Sequence, residues 1–270
     1  METDIYIAFA LGLTVGVTLV LTGAGGAIFG VPLLVFGLGI PVAEASPIAL
    51  LAVAIAASIG GFSGLRSGIL RYKAVLVMST FGLFVSPFGI WVAQHVPNAP
   101  LSALFAAVLL YVSLRMYLQA KRELRGLPIN ERLSQHCKLD ETRGKLVWTL
   151  PCFRAMSQAG ITAGFLSGLL GVGGGFVIVP ALKKFTNLPI KSITATSLGV
   201  IALISIVGVF SSSIIGSMNW GIGIPFASGT IAGTIGGKSL ASFISGPKLQ
   251  QFFSVVALIV SLSMAYRAFS

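Results

Sequence analysis

The chain has 270 residues, of which 55% are hydrophobic and only 9% charged, and its mean hydropathy is +0.96. A water-soluble domain carries about 25% charged residues. A soluble enzyme, a disordered chain and a disulfide scaffold are therefore excluded, and the composition is that of a polytopic membrane protein. The 18 Lys and Arg outweigh 7 Asp and Glu, for a net charge of +11; basic charge of this size suggests nucleic acid unless its placement gives another reason.

In chain order, Met1-Glu2-Thr3-Asp4 has neither the basic start nor the cleavage site of a secretory signal, so the first apolar segment is expected to be retained. A spanning helix needs about 20 apolar residues. Long candidates are 5–21, 47–65, 74–93, 101–118, 151–170, 192–215, 220–243 and 249–268. Two shorter apolar pieces, 27–39 and 175–182, read as half-helices or re-entrant segments. Residues 119–150 form a polar connector in which Lys121, Arg122, Arg125, Arg132, Lys138, Arg143 and Lys145 outnumber Glu123, Glu131, Asp140 and Glu141. It has room for a short amphipathic helix. The domain reading is thus a first transmembrane repeat at 1–118, a basic connector at 119–150 and a second repeat at 151–270. Cys137 and Cys152 show no metal spacing and read as free, inert thiols.

The two halves repeat at a constant offset of 148 residues (171 − 23): Gly23-Ala24-Gly25-Gly26 matches Gly171-Val172-Gly173-Gly174. The same register pairs Gly12 with Gly160, Gly16 with Gly164, Pro32 with Pro180, Pro41 with Pro189, Gly60 with Gly208 and Gly89 with Gly237. Gly and Pro fix backbone geometry, so their matches weigh more than apolar ones.

Topology follows from the enrichment of Lys and Arg in cytoplasmic loops. Arg66, Arg71 and Lys73 mark one loop of the first half as inside, and the uncharged loop 94–100 as outside. In the second half the pattern reverses. Lys183, Lys184 and Lys191 stand where the first half has Val35, Phe36 and Ala43, and the counterpart of the basic loop, 214–221, has no charge. The fold class is therefore all-α: a transmembrane bundle of two inverted-topology repeats, each with a glycine-broken hairpin and three long helices. The connector is expected to be cytoplasmic and both termini periplasmic.

The glycine hairpins are the first functional candidates. Gly23, Gly25, Gly26, Gly171, Gly173, Gly174 and Gly175 interrupt apolar runs. Non-helical backbone inside lipid must be buried in protein or line a watery cavity. Half-helix N-termini in inverted-repeat transporters face an anion near the midplane. Tight turns or close helix packing also explain the glycines. Ser46, Thr194, Thr196 and Ser197 lie near the starts of long helices, where hydroxyls either cap the helix or bind substrate. Lys238 lies inside an apolar span and could pair with an anion or snorkel; Arg66 ends a span and reads as snorkelling. Glu44 reads as an interface residue rather than a proton carrier, and His95 as a solvated loop residue. The Gly-x-x-x-Gly spacings (Gly12/Gly16, Gly160/Gly164, Gly60/Gly64, Gly229/Gly233/Gly237) read as packing faces. Neither a dinucleotide fingerprint nor a phosphate loop is present: Ile28 and Ala232 stand where those motifs require glycine.

Leu21-Thr-Gly-Ala-Gly-Gly-Ala-Ile-Phe-Gly-Val-Pro32 and Leu169-Leu-Gly-Val-Gly-Gly-Gly-Phe-Val-Ile-Val-Pro180 resemble the paired signature of the TauE/SafE sulfite exporter family. Residues 191–198 (Lys-Ser-Ile-Thr-Ala-Thr-Ser-Leu) and the spacing of Gly216 and Trp220 agree with it. The resemblance covers nearly all of the chain outside the connector. It implies an exporter of sulfite or a related organosulfur anion such as sulfoacetate or thiosulfate, in a bacterial inner membrane, working by alternating access; an anion channel of the same fold is the alternative. The chain departs from internal symmetry at Pro47-Ile48-Ala49 against Ala195-Thr196-Ser197, so the second half is expected to supply more of the polar contacts. The expected partners are a small anion and the lipid bilayer, not nucleic acid, with self-association left open. No cofactor, metal or enzymatic chemistry is expected.

Overall fold

The structure, a computed structural model, describes residues 2–124, 137, 139–140, 145–146, 148–241 and 246–269. Ten α-helices follow in order: α1 (Glu2–Thr22), α2 (Gly30–Leu38), α3 (Val42–Arg66), α4 (Tyr72–His95), α5 (Asn98–Leu124), α6 (Leu150–Leu170), α7 (Gly175–Phe185), α8 (Ile190–Ile215), α9 (Trp220–Ala241) and α10 (Gly246–Phe269). A 3-10 turn, Gly23–Phe29, joins α1 to α2. Two short strands, β1 (Leu139–Asp140) and β2 (Lys145–Leu146), pair antiparallel in the connector. Where described, the connector holds the continuation of α5 to Leu124 and this small ribbon; the short amphipathic helix allowed for there falls on residues 125–136, outside the described residues. His95 is the last residue of α4 rather than a loop residue, its ring against Trp91 at 4.4 Å.

Five described helices are long and apolar enough to cross a membrane: Thr3–Leu21, Val42–Arg66, Tyr72–His95, Asn98–Arg122 and Ile190–Ile215. Helices α6 and α9 have the length, 21 and 22 residues, but Arg154 and Gln158 in α6 and the many glycines of α9 lower their hydropathy. Large apolar side chains cover the perimeter, with Phe84, Phe210, Ile214 and Phe252 exposed. In water such a surface would aggregate; in a bilayer it is solvated.

Helix contacts repeat at the 148-residue offset. The Cα of Gly12 lies against the backbone of Phe226 and that of Gly16 against Thr230, while Gly160 meets Met78 and Gly164 meets Gly82. Helix α1 thus runs parallel to α9, and α6 parallel to α4. Gly89 meets Phe165 as Gly237 meets Val17. Along α3 and α8, Gly60 meets Leu198, Gly64 meets Ala195 and Gly208 meets Leu50, so these two helices cross antiparallel. The small-residue spacings are packing faces because a Cβ at these positions would occupy the neighbouring backbone. Without hydrophobic drive between helices in lipid, such close approach is what holds them.

Cys137 and Cys152 form a disulfide, which corrects the reading of two free thiols. The connector folds back onto the hairpin end of the second half: Cys137 N–H donates to the carbonyl of Phe185 at 3.0 Å, and its Cα comes within 5.0 Å of that of Cys152. Sequence spacing alone carries no trace of this return. By its 15-residue span, the closed loop is worth about 3 kcal/mol. Cys152→Ser is expected to lower the thermal midpoint of oxidised protein in detergent, and to leave that of reduced protein unchanged.

Candidate functional site

The second glycine run builds the more sharply defined of the two hairpins. Helix α6 stops because Gly171 takes φ +72°, with its N–H on the carbonyl of Ser167 at 2.8 Å. Gly173 at +71° and Gly174 at +70° follow. Three left-handed residues within four are accessible to glycine and strained for any residue with a Cβ. They drop the chain back beside α6, where a Cβ on Gly174 would stand 2.7 Å from the carbonyl oxygen of Ala163. Helix α7 then starts at Gly175, its carbonyl ladder opened by Gly174 accepting from Val177 and Ile178. The first-turn N–H groups at Gly175 and Phe176 are those that a helix leaves without an internal partner, at its positive dipole end.

Gly173 lies at the crossing of α3 and α8. A Cβ there would stand 2.7 Å from Val53 Cγ1, 2.9 Å from Ile201 Cγ2 and 3.2 Å from the hydroxyl of Ser205. Val53 and Ile201 are counterparts at the 148-residue offset, and each sits near the middle of its helix. Ser205 is fully buried and its hydroxyl has no hydrogen-bond partner. Gly171 packs on the Cα of Ser46, which brings the start of α3 onto the tip of the hairpin.

The structure brings together Gly171, Gly173, Gly174, Gly175 and Ser46. Gly26 packs tightly on the backbone of α1, at 2.5 Å from the Cα of Leu19 for an added Cβ. Gly23 and Gly25 share its 3-10 turn, and their surroundings lie outside what is described. The other hydroxyls are elsewhere. Thr196 is fully buried and accepts the N–H of Arg71 at 3.0 Å, tying α8 to the loop before α4. Thr194 donates to Ile190 at 3.1 Å and Ser197 to Thr194 at 2.9 Å. None of the four caps its helix, as the capping alternative had it. The N-caps are Pro41 and Pro189, without side-chain bonds, and Ser46 itself donates back to Val42 at 2.8 Å. Arg66 is exposed, its guanidinium 4.9 Å over the ring of Phe62, at the opposite end of α3 from Ser46. Lys238 lies on α9, and its side chain is outside what is described.

Ser205 was missed by sequence reasoning. It is one hydroxyl among many in α8, and its counterpart Ala57 gave no paired signal. Glu44 accepts from Asn219 Nδ2 at 3.2 Å, which joins α3 to the start of α9. Glu44→Gln keeps an acceptor for that bond. It is expected to change stability by less than about 1 kcal/mol and to leave transport intact; loss of transport with retained fold would make Glu44 a proton carrier. Among the described residues no group of three His, Cys, Asp or Glu side chains could hold a metal ion. The site offers neutral donors, amide and hydroxyl, in an apolar setting, which suits the oxygens of an anion.

Comparison with known proteins gives the class of protein. The sequence profile described as Sulfite exporter TauE/SafE matches residues 8–264. The chain is 26% identical to a "Probable membrane transporter protein" of Xylella fastidiosa over 273 residues, 99% of this chain and 97% of that one. It is 26% identical to "Probable membrane transporter protein YunE" of Bacillus subtilis over 268 residues, covering 96% and 97% of the two chains. A third relative, "Probable membrane transporter protein MJ0441" of Methanocaldococcus jannaschii, is 33% identical over 208 residues, 74% of this chain and 69% of that one.

Proposed function

The chain belongs to the sulfite exporter TauE/SafE family and is a multi-pass membrane transporter; from that premise we propose that it exports sulfite or a related organosulfur anion, such as sulfoacetate or thiosulfate, from the cytoplasm by alternating access. The observation that carries this reading is Gly173, held without room for a side chain at the α3–α8 crossing and facing the unpartnered hydroxyl of Ser205. Backbone that leaves the helix at this depth has to meet protein or a polar guest, and the hairpin presents N–H groups to an anion.

Alternating access rests on two repeats moving against each other about the site. The antiparallel α3–α8 crossing supports inverted repeats, since a two-fold relation between antiparallel helices has its axis perpendicular to them, in the plane of the membrane. Basic residues at 66–73 and in the connector support a cytoplasmic side for those loops, with both termini periplasmic in a bacterial inner membrane as the matching reading. A cytoplasmic connector would set the Cys137–Cys152 disulfide against a reducing compartment. An inside-negative potential favours anion exit by about 2.3 kcal/mol per charge per 100 mV, so export proceeds without a coupling carboxylate.

The test is thermal stability of the purified protein with sulfite, sulfate, thiosulfate and sulfoacetate. Sulfite or one of the organosulfur anions is expected to raise the midpoint, and Ser205→Ala to remove the rise. A midpoint indifferent to all four contradicts the proposal.

A further inference from the structure

Three buried serines lack the bond that most buried hydroxyls among the described residues make. Ser79, Ser157, Thr186, Ser212, Thr230 and Thr234 are buried on helices or at their ends and each donates to a carbonyl three or four residues back. That bond is open to every helical serine. Ser86, Ser167 and Ser205 are 0% exposed, yet among the described residues their hydroxyls have no hydrogen-bond partner. Their geometry orders them along the bundle. Ser205 is beside Gly173 at mid-length of α8; one turn on, Gly208 would bring a Cβ to 3.6 Å from the hydroxyl of Ser86. Ser167 closes α6, its carbonyl on Gly171. A turn further along α8, Ser212 lines a cavity of about 10 Å³, together with Ser46, Leu50, Ile90, Gln94 and Gly168. That is room for one water. Gln94 Nε2 is buried there without a partner.

We propose that Ser205, Ser86, Ser167 and Gln94 form a one-sided ladder of neutral donors that leads a small oxyanion from the glycine hairpin to the outer end of α4. This rests on the transporter reading above and names the route and chemistry of its exit half. Three helices contribute: α4, α6 and α8. The ladder runs toward the ends of α4 and α8 whose loops carry no Lys or Arg, the side the positive-inside rule assigns to the outside. Its three serines have no mirror among the described residues of the other half. At the 148-residue offset, Ser86 becomes Thr234, whose hydroxyl is bonded to Thr230, Ser167 becomes Leu19 and Ser205 becomes Ala57. Orphan donors carry a desolvation cost that nothing in the protein offsets, and a guest that supplies acceptor oxygens is what offsets it. No cation lies among these four residues. Conduction needs sites that bind well enough to admit an ion and weakly enough, in series, to release it; hydroxyl and amide donors meet that condition better than a lysine.

The test compares Ser86→Ala, Ser167→Ala and Gln94→Leu with the wild type, by thermal unfolding in detergent without anion and by sulfite flux in proteoliposomes. Each variant removes a buried donor that lacks a partner among the described residues, so a residue with only a packing role should gain or keep stability and keep its flux. The ladder predicts an unchanged or raised midpoint together with at least a 10-fold lower sulfite flux. Wild-type flux in all three variants overturns the ladder and leaves the transporter reading standing. A midpoint that falls in step with the flux overturns it as well, by making the residues structural. A wild-type protein that carries neither sulfite nor thiosulfate, sulfate or sulfoacetate overturns the transporter reading itself, and the ladder with it.

Discussion

Gly173→Val is expected to lower anion flux about 100-fold while the protein still folds. Two independent effects converge on this residue. Its φ of +71° is a left-handed conformation, which a β-branched residue adopts only under strain of roughly 1–3 kcal/mol. Its Cβ would also stand 2.7 Å from Val53 and 2.9 Å from Ile201, methyl groups whose stiff side chains cannot swing aside. The hairpin must shift, and a displacement near 1 Å at a binding site is enough for losses of about 100-fold. Gly173→Ala has the strained φ with less bulk and is expected to fall between this variant and the wild type. Flux in proteoliposomes, read beside the elution profile in detergent, checks both. Wild-type flux in Gly173→Val would remove the hairpin from the site.

The largest effect on folding is expected at the helix-pair faces. In Gly164→Leu the new Cβ would overlap the backbone of Gly82, at 2.5 Å from its Cα. Backbone cannot yield as a side-chain tip does, so α4 and α6 must separate along their whole contact. Overpacking costs of 1–3 kcal/mol are usual in cores that can shift, and this one is expected to exceed about 3 kcal/mol because helix–helix packing in lipid depends on such close approach. Gly236→Leu on α9 is the control. A Cβ there meets nothing within 4 Å, and the variant is expected to elute as the wild type does. The measurement is the yield of monodisperse protein from membranes; equal yields for the two variants contradict the packing account.

Much of the architecture was legible because glycine and proline state geometry directly. The 148-residue register of Gly12, Gly16, Gly60 and Gly89 with Gly160, Gly164, Gly208 and Gly237 already pointed to paired helix contacts, and the structure shows those contacts as counterparts. The breaks at Gly23 and Gly171 placed both hairpins to within a few residues. What stayed hidden depends on where chains meet in space. Cys137 reaches Cys152 only because the connector returns to the end of α7. Ser46 and Thr194 read as equivalent by register, yet Ser46 lies under the hairpin tip while the hydroxyl of Thr194 bonds back to Ile190. Ser205, Ser86 and Ser167 carry no sequence signal that separates them from serines whose hydroxyls are satisfied. Only the absence of a partner marks them, and that is a property of the folded interior.

The net charge of +11 is accounted for by placement. The basic residues concentrate in the connector and in loops such as 66–73, leaving the α3–α8 crossing to neutral donors. Arg66, stacked over Phe62 at the end of its helix, is at the opposite end of α3 from Ser46 and the hairpin tip. Its expected effect is on orientation in the membrane and on the potential at the cytoplasmic mouth.

The most direct measurement of the central claim is counterflow of labelled sulfite in proteoliposomes loaded with unlabelled sulfite. An alternating-access carrier exchanges one for the other, so the label accumulates transiently above its outside concentration, saturates with sulfite, and is lost in Gly173→Val. Label that only equilibrates with the outside, as through an open pore, or that matches protein-free liposomes, contradicts the account.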